Sequence, residues 1–261
     1  MSSVLAAVLV GVIVGIVVGA LGAGGGILSV PILVYALGQH PHSATASSLV
    51  IVGSTAVAGL VHHVRRRTVD WGNGVTFGLL GVAGSFAGSR ISVQLDGRVL
   101  LALFAVLLAL VAVAMFRSAL IGRRGSGREP VEPPAGGRNW LRTIALATLT
   151  GLLTGLFGVG GGFIVVPILV LVLRVPIRTA AGTSLVVMMI ASISGLLSRI
   201  GTGVVIDWPL TMAFALASML GGLLGGPASA RLPGWVLTMV FAGLLAAVAV
   251  GMGTAVALGI T

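Results

Sequence analysis

Long apolar stretches interrupted by glycine, not an alternation of apolar and polar positions, set the pattern of this chain. From Met1 to Val64 there is no Asp, Glu, Lys or Arg. Further uncharged runs cover Trp71–Ser89, Val99–Phe116, Thr143–Leu173, Thr179–Ser198, Trp208–Ala230 and Leu232–Thr261. A helix needs roughly 20 apolar residues to cross a bilayer. Several runs therefore hold one crossing, and the longest hold more than one or a broken one. The pattern predicts an all-α polytopic membrane protein.

Two stretches read almost as copies: GALGAGGGILSVPILV at residues 19–34 and GLFGVGGGFIVVPILV at residues 155–170. An offset of 136 pairs Gly24–Gly26 with Gly160–Gly162, Pro31 with Pro167, and Ala46-Ser47-Ser48 with Gly182-Thr183-Ser184. With one inserted residue, Asp70-Trp71 meets Asp207-Trp208; further on, Gly81, Gly84 and Arg90 meet Gly222, Gly225 and Arg231. The chain thus reads as two homologous repeats, 1–116 and 141–261, joined by a linker over 117–140 that is rich in Gly, Pro and charge and expected to be solvated. Each half is predicted as a glycine-broken segment followed by three spanning helices. The breaks divide the first segments into about 4–21 and 27–38, and about 141–157 and 163–173. Each such pair is long for one crossing and short for two, which fits either a re-entrant hairpin or a broken helix pair. Hydropathy gives eight segments, or ten counting half-helices.

Charge adds orientation. All basic residues are Arg and the formal net charge is +10. In a soluble protein this would suggest nucleic acid. Here arginine gathers at Arg65–Arg67 and over residues 117–142, so the positive-inside rule places both regions in the cytoplasm and no nucleic acid partner is expected. Crossings at about 73–92 and 98–116 keep that parity, leaving Asp96, Arg98 and the His40–His42 loop outside. Arg174, Arg178 and Arg231 favour inverted repeats, because inversion places them inside and leaves only Arg199 outside. The N-terminus lacks the positive region of a signal peptide and matches the later repeat, so it reads as a retained membrane segment. There is no cysteine, and the four His stand near segment ends without carboxylate or thiol company, so no disulfide, metal site or cofactor is expected.

The candidate chemistry lies in the glycine breaks. A broken helix is tolerated in lipid only where protein or a water-filled cavity surrounds it. Paired breaks in two halves point to a transporter's substrate site. Gly24, Gly25 and Gly26 precede one restarted helix, and Gly160, Gly161 and Gly162 precede the other. A helix start offers unpaired N–H groups and partial positive charge, and glycine admits close backbone approach. Two such starts facing a common midplane cavity would hold an oxyanion without a buried arginine. Ser47, Ser48, Thr183 and Ser184 stand at matched positions on the next helix as further donors, although such hydroxyls also bond their own helix. Gly81, Gly84, Gly88, Gly221, Gly222, Gly225 and Gly226 have the spacing of helix packing. Arg90 and Arg231 read as snorkelling residues, His62 and His63 as facing headgroups, and Trp71, Trp140, Trp208 and Trp235 as an interfacial belt. The acidic residues are Asp70, Asp96, Glu129, Glu132 and Asp207, none within a segment interior, so an intramembrane carboxylate relay is not expected.

The repeated G-x-G-x-G-G-G-[IF]-[IL]-x-V-P-[IL]-L pattern, the later [GA]-[ST]-S-L-V and the Asp-Trp entering the next helix resemble the sulfite exporter TauE/SafE family, also called the toluene sulfonate uptake permease family. The resemblance covers nearly the whole chain. The first half departs from it conservatively, with Ala46-Ser47-Ser48 in place of Gly-Thr-Ser. The resemblance implies movement of a small anion, such as sulfite, sulfoacetate or another sulfonate, across the inner (plasma) membrane. A membrane enzyme is the less supported class, since HExxH, GxSxG and an intramembrane Asp pair are absent. A noncatalytic scaffold or assembly protein is the standing alternative. The expected partners are a small anionic substrate and the lipid bilayer, with the oligomeric state open.

Overall fold

The computed structural model describes residues 2–21, 25–124, 140–173, 175–229 and 233–258. It forms ten α-helices among those residues: α1 (Ser2–Leu21), α2 (Gly25–Pro31), α3 (Pro41–Arg65), α4 (Trp71–Gln94), α5 (Gly97–Arg124), α6 (Trp140–Phe157), α7 (Gly162–Pro167), α8 (Ile177–Ser198), α9 (Trp208–Ser229) and α10 (Gly234–Ala257). The predicted break between α6 and α7 appears at its predicted place, and α1 and α2 end and start on either side of residues 22–24, which lie outside the described residues. After α2 and α7 the chain continues as single π-helical stretches, Ile32–Ala36 and Ile168–Val172. The cause is local. Pro31 and Pro167 have no N–H to close the bond four residues back. Beyond them the wider spacing takes over, with Leu37 N–H donating to the Ile32 carbonyl at 3.0 Å and Leu173 N–H to Ile168 at 3.1 Å.

Among the described residues, five helices are long and apolar enough to cross a bilayer: Pro41–Arg65, Gly97–Leu120, Ile177–Ser198, Trp208–Gly225 and Gly234–Ala257. Helix α4 has the length, but its glycines and serines lower its hydropathy. Leu5, Leu9 and Ile13 of α1 and Leu216, Leu220 and Leu224 of α9 stand outward at four-residue spacing. Such stripes would be a liability in water and are suited to lipid. Trp71, Trp140 and Trp208 are the first residues of their helices, and Trp235 is the second of its own, as an interfacial belt requires.

Small residues bring the backbones together. Helices α1 and α9 run parallel, with Gly11 against Phe214 and Ala217, Gly15 against Ser218 and Gly19 against Gly222. Helices α4 and α6 do the same, through Gly81 on Ala147, Gly84 on Thr148 and Gly88 on Leu152. The packing expectation is met at Gly81, Gly84, Gly88, Gly221, Gly222 and Gly225, while the surroundings of Gly226 lie outside what is described. Hydroxyls reinforce it: Ser218 donates to the Gly11 carbonyl at 3.0 Å, Ser89 to Gly155 at 3.2 Å and Ser85 to Ala191 at 3.2 Å. Helices α3 and α8 cross antiparallel at the centre, with Gly53 facing Ser192 and Gly59 facing Leu185. Helix α4 runs parallel to α8, with Gly74 against Thr183 and Gly78 against Ile190. Helices α5 and α10 pack on each other, and α2 touches α7.

Candidate functional site

The second half shows its glycine break in full. Helix α6 ends at Phe157, whose ring stacks on Phe104 of α5 with centroids 5.2 Å apart. The chain then turns through Gly158, Gly160 and Gly161 at φ +66°, +68° and +77°. A Cβ resists such left-handed values. The turn is buried. It fits so tightly that an added Cβ would overlap Thr45 at Gly158, Val52 at Gly160 and Thr154 at Gly161. Two of those neighbours, Thr45 and Val52, belong to α3, so the break of the second half is lodged against the long central helix of the first.

Polar groups converge on this turn. Ser48 donates its hydroxyl to the Gly158 carbonyl. Ser192 of α8, whose buried hydroxyl has no partner, lies 3.4 Å from the Cβ position of Gly160. Arg199, the residue after α8, is only 7% exposed. Its Nη1 donates to Thr45 Oγ1 at 2.8 Å and to the His42 carbonyl at 3.3 Å, and its Nη2 to the Gly155 carbonyl at 3.4 Å. The guanidinium therefore ties α8 to the start of α3 and to the end of α6. The sequence reading missed it, because an arginine at a segment end reads as an interfacial residue; the anion site was expected to need no buried arginine.

The other expected site residues are distributed as follows. Gly24 lies outside the described residues, as do Arg174, Arg231, Glu129 and Glu132. Gly25 and Gly26 open α2, and Gly162 opens α7. Ser47 is buried with a hydroxyl that lacks a partner. Thr183 accepts from the Asp70 N–H at 3.0 Å, and Ser184 donates to the Ala181 carbonyl at 2.7 Å. The four hydroxyls do not converge on one point. Ser48 and Ser184 fall on opposite sides of the Gly53–Ser192 crossing, because α3 and α8 are antiparallel.

Two surface expectations separate. Arg90 is exposed with its guanidinium 5.5 Å over the Phe86 ring, as snorkelling allows. His63 does not face headgroups. It is 4% exposed, and its Nδ1 pairs with Thr68 Oγ1 at 2.9 Å. The helix α3 face that carries it turns inward toward Gly182 of α8.

The described carboxylates cap or close loops. Asp70 accepts from Asn73 N–H at 3.0 Å, Asp207 from Leu210 N–H at 3.2 Å and Asp96 from Arg98 N–H at 2.8 Å. Losing an N-cap costs about 1 kcal/mol. Asp70→Ala and Asp207→Ala are each expected to lower the thermal midpoint while leaving transport within about tenfold of wild type, a barrier change below roughly 1.4 kcal/mol. Loss of all flux from a folded Asp variant would place an ion-coupling group at a helix end.

Comparison with known proteins agrees with this architecture. The profile described as "Sulfite exporter TauE/SafE" matches residues 7–252. A "Probable membrane transporter protein" of Xylella fastidiosa (strain 9a5c) is 35% identical over 235 residues, 88% of this chain and 87% of its own length. The "Probable membrane transporter protein YunE" of Bacillus subtilis (strain 168) is 26% identical over 236 residues, covering 84% and 86%. The "Sulfite exporter TauE/SafE family protein 5" of Arabidopsis thaliana is 30% identical over 102 residues, 39% of this chain and 23% of that protein. No solved structure matches the chain. A multi-pass helical protein, matched over nearly its whole length by this profile, belongs to the sulfite exporter TauE/SafE family of membrane transporters.

Proposed function

We propose that the chain is a secondary transporter that moves a small sulfur-containing or organic anion, such as sulfite or sulfoacetate, outward across the plasma membrane by alternating access. The observation that carries this reading is the buried left-handed turn Gly158–Gly161, held between its own α6 and α3 of the other half. Non-helical backbone at membrane depth is tolerated where protein or a water-filled cavity surrounds it, and broken helices of this kind form substrate sites in transporters. The anion is placed at the restarted helices, with Gly24–Gly26 and Gly160–Gly162 as close-approach positions and Ser47, Ser48, Thr183 and Ser184 bracing or lining them. A cell interior at negative potential drives anions outward.

The proposal includes inverted repeats. Parallel packing of α1 with α9 and of α4 with α6 and α8, with α3 antiparallel to α8, supports it. In that arrangement α1 and α3 run one way and their counterparts α6 and α8 the other. Rocking one half against the other would then open the crossing alternately to each side. The orientation is checked by single cysteines, since the chain has none of its own. Arg66→Cys and Asp96→Cys, both at exposed positions, are expected to react with an impermeant thiol reagent from opposite faces. Labelling of both from outside would overturn the orientation.

Flux in proteoliposomes under an imposed potential tests the function itself. A panel of sulfite, thiosulfate, sulfate, sulfoacetate and taurine is expected to show saturable transport of at least one anion. Rates equal to protein-free liposomes across the panel would contradict the transporter reading and favour a scaffold.

A further inference from the structure

We propose that Arg199 is the fixed positive charge on which the carried oxyanion docks. The inference rests on the anion-transporter reading and moves its binding charge from backbone alone to a side chain. A guanidinium has five N–H donors. The acceptors found for Arg199 are Thr45 Oγ1, the His42 carbonyl and the Gly155 carbonyl, the last at a long 3.4 Å. All are neutral. Nε is buried and has no acceptor among the described residues. The described carboxylates are engaged at helix starts and in the α4–α5 loop. A cation this deeply buried is costly without a counter-charge.

Nε, without an acceptor among the described residues, and Nη2, whose one contact is the long bond to Gly155, share one edge. Nε and Nη2 form the fork that accepts two oxygens of a carboxylate, sulfonate or similar oxyanion side by side. Nη1, on the other side, is fastened to Thr45 and His42 of the opposite half. The fastened side orients the group, and the weakly engaged edge is left for the ligand. Thr45 is also the residue that Gly158 packs against. Arg199 therefore stands beside the glycine turn and not at a remote helix end. Ser192, about two turns earlier on α8, adds a second buried donor near Gly160 that has no partner among the described residues.

The two halves differ here. At the offset of 136, position 199 corresponds to His63. His63 turns its Nδ1 to Thr68 of its own loop. Arg199 instead reaches across to the other half. A bare structural tie would not need a charged fork whose one edge holds only a long bond to Gly155, so the chain carries one strong oxyanion post in place of a symmetric pair.

The test is equilibrium binding of sulfite and sulfoacetate to the full-length protein in maltoside micelles, which offer no phosphate headgroup, followed by flux in proteoliposomes. Arg199→Gln is expected to weaken binding of the transported anion by about ten- to a hundredfold, the range of a charge-assisted hydrogen bond. Arg199→Lys keeps the cation and the fold but lacks the fork, and is expected to bind several-fold more weakly than wild type. If Arg199→Gln does not fold, Arg199→Lys decides. Wild-type affinity in either folded variant overturns the assignment while leaving the transporter reading intact. Wild-type protein that binds and carries none of the anions overturns the transporter reading and this assignment with it.

Discussion

Alanine in place of Gly161 is expected to lower anion flux by about a hundredfold, with the protein still inserted in the membrane. Two effects act together. The residue sits at φ +77°, a left-handed conformation that costs an L-residue roughly 1–2 kcal/mol. The new Cβ would also overlap the Thr154 hydroxyl, and overpacking of this kind costs about 1–3 kcal/mol. Thr154 is held in place by its own bond to the Thr150 carbonyl at 2.7 Å, so it does not simply swing aside. The turn must shift instead. A misplacement of about 1 Å in a binding group is enough for roughly a hundredfold loss. Gly201→Ala is the control: φ there is +79°, yet nothing lies within 4 Å of the added atom. It carries the backbone strain without the overlap and is expected to keep most of the flux. Wild-type flux in Gly161→Ala would show that the turn's close fit has no part in transport.

The second large effect concerns stability. Gly84→Ala is expected to destabilise the protein by about 3 kcal/mol, the upper end of overpacking costs, seen as a lowered midpoint of thermal unfolding in detergent. The added Cβ would overlap the Thr148 carbonyl and stand 2.8 Å from the Leu152 nitrogen. Both are backbone atoms of α6 and have no rotamer through which to yield. Separating α4 from α6 would also break the Ser89 bond to the Gly155 carbonyl, next to the turn. Gly251→Ala on α10 has nothing within 4 Å and is expected to be neutral or slightly stabilising, since alanine favours helix over glycine. An unchanged midpoint in Gly84→Ala would mean that the two helices are not in backbone contact in the membrane.

The helical class, the two glycine breaks and the family were legible because each depends on local composition. Charge-free runs mark membrane segments, and three adjacent glycines before a proline mark a broken helix. The helix-packing glycines were legible for the same reason, since small residues at four-residue spacing act through the face they share. The candidate site was less legible because its residues come from distant parts of the chain. Nothing near Arg199 in sequence signals that α8 crosses α3 antiparallel and delivers the guanidinium to His42 and Thr45. His63 was misplaced for the same reason: beside Arg65–Arg67 it looks interfacial, but the face of α3 that carries it turns toward Gly182. The serine and threonine positions were found by repeat matching. That method equates the two halves and cannot see that Thr183 accepts from Asp70 while Ser47 is left without a partner.

On the proposed mechanism a single oxyanion sits between the halves, at the glycine turn and Arg199. Amide hydrogen exchange reads that place directly, because the turn is backbone. With sulfite or sulfoacetate added to the protein in maltoside micelles, exchange is expected to slow in peptides covering Gly155–Ile164 and Ser198–Gly201 and to stay unchanged in the α3–α4 loop at Arg65–Arg67. Protection confined to that arginine loop, or no protection at the turn under an anion that the protein demonstrably carries, would contradict the account.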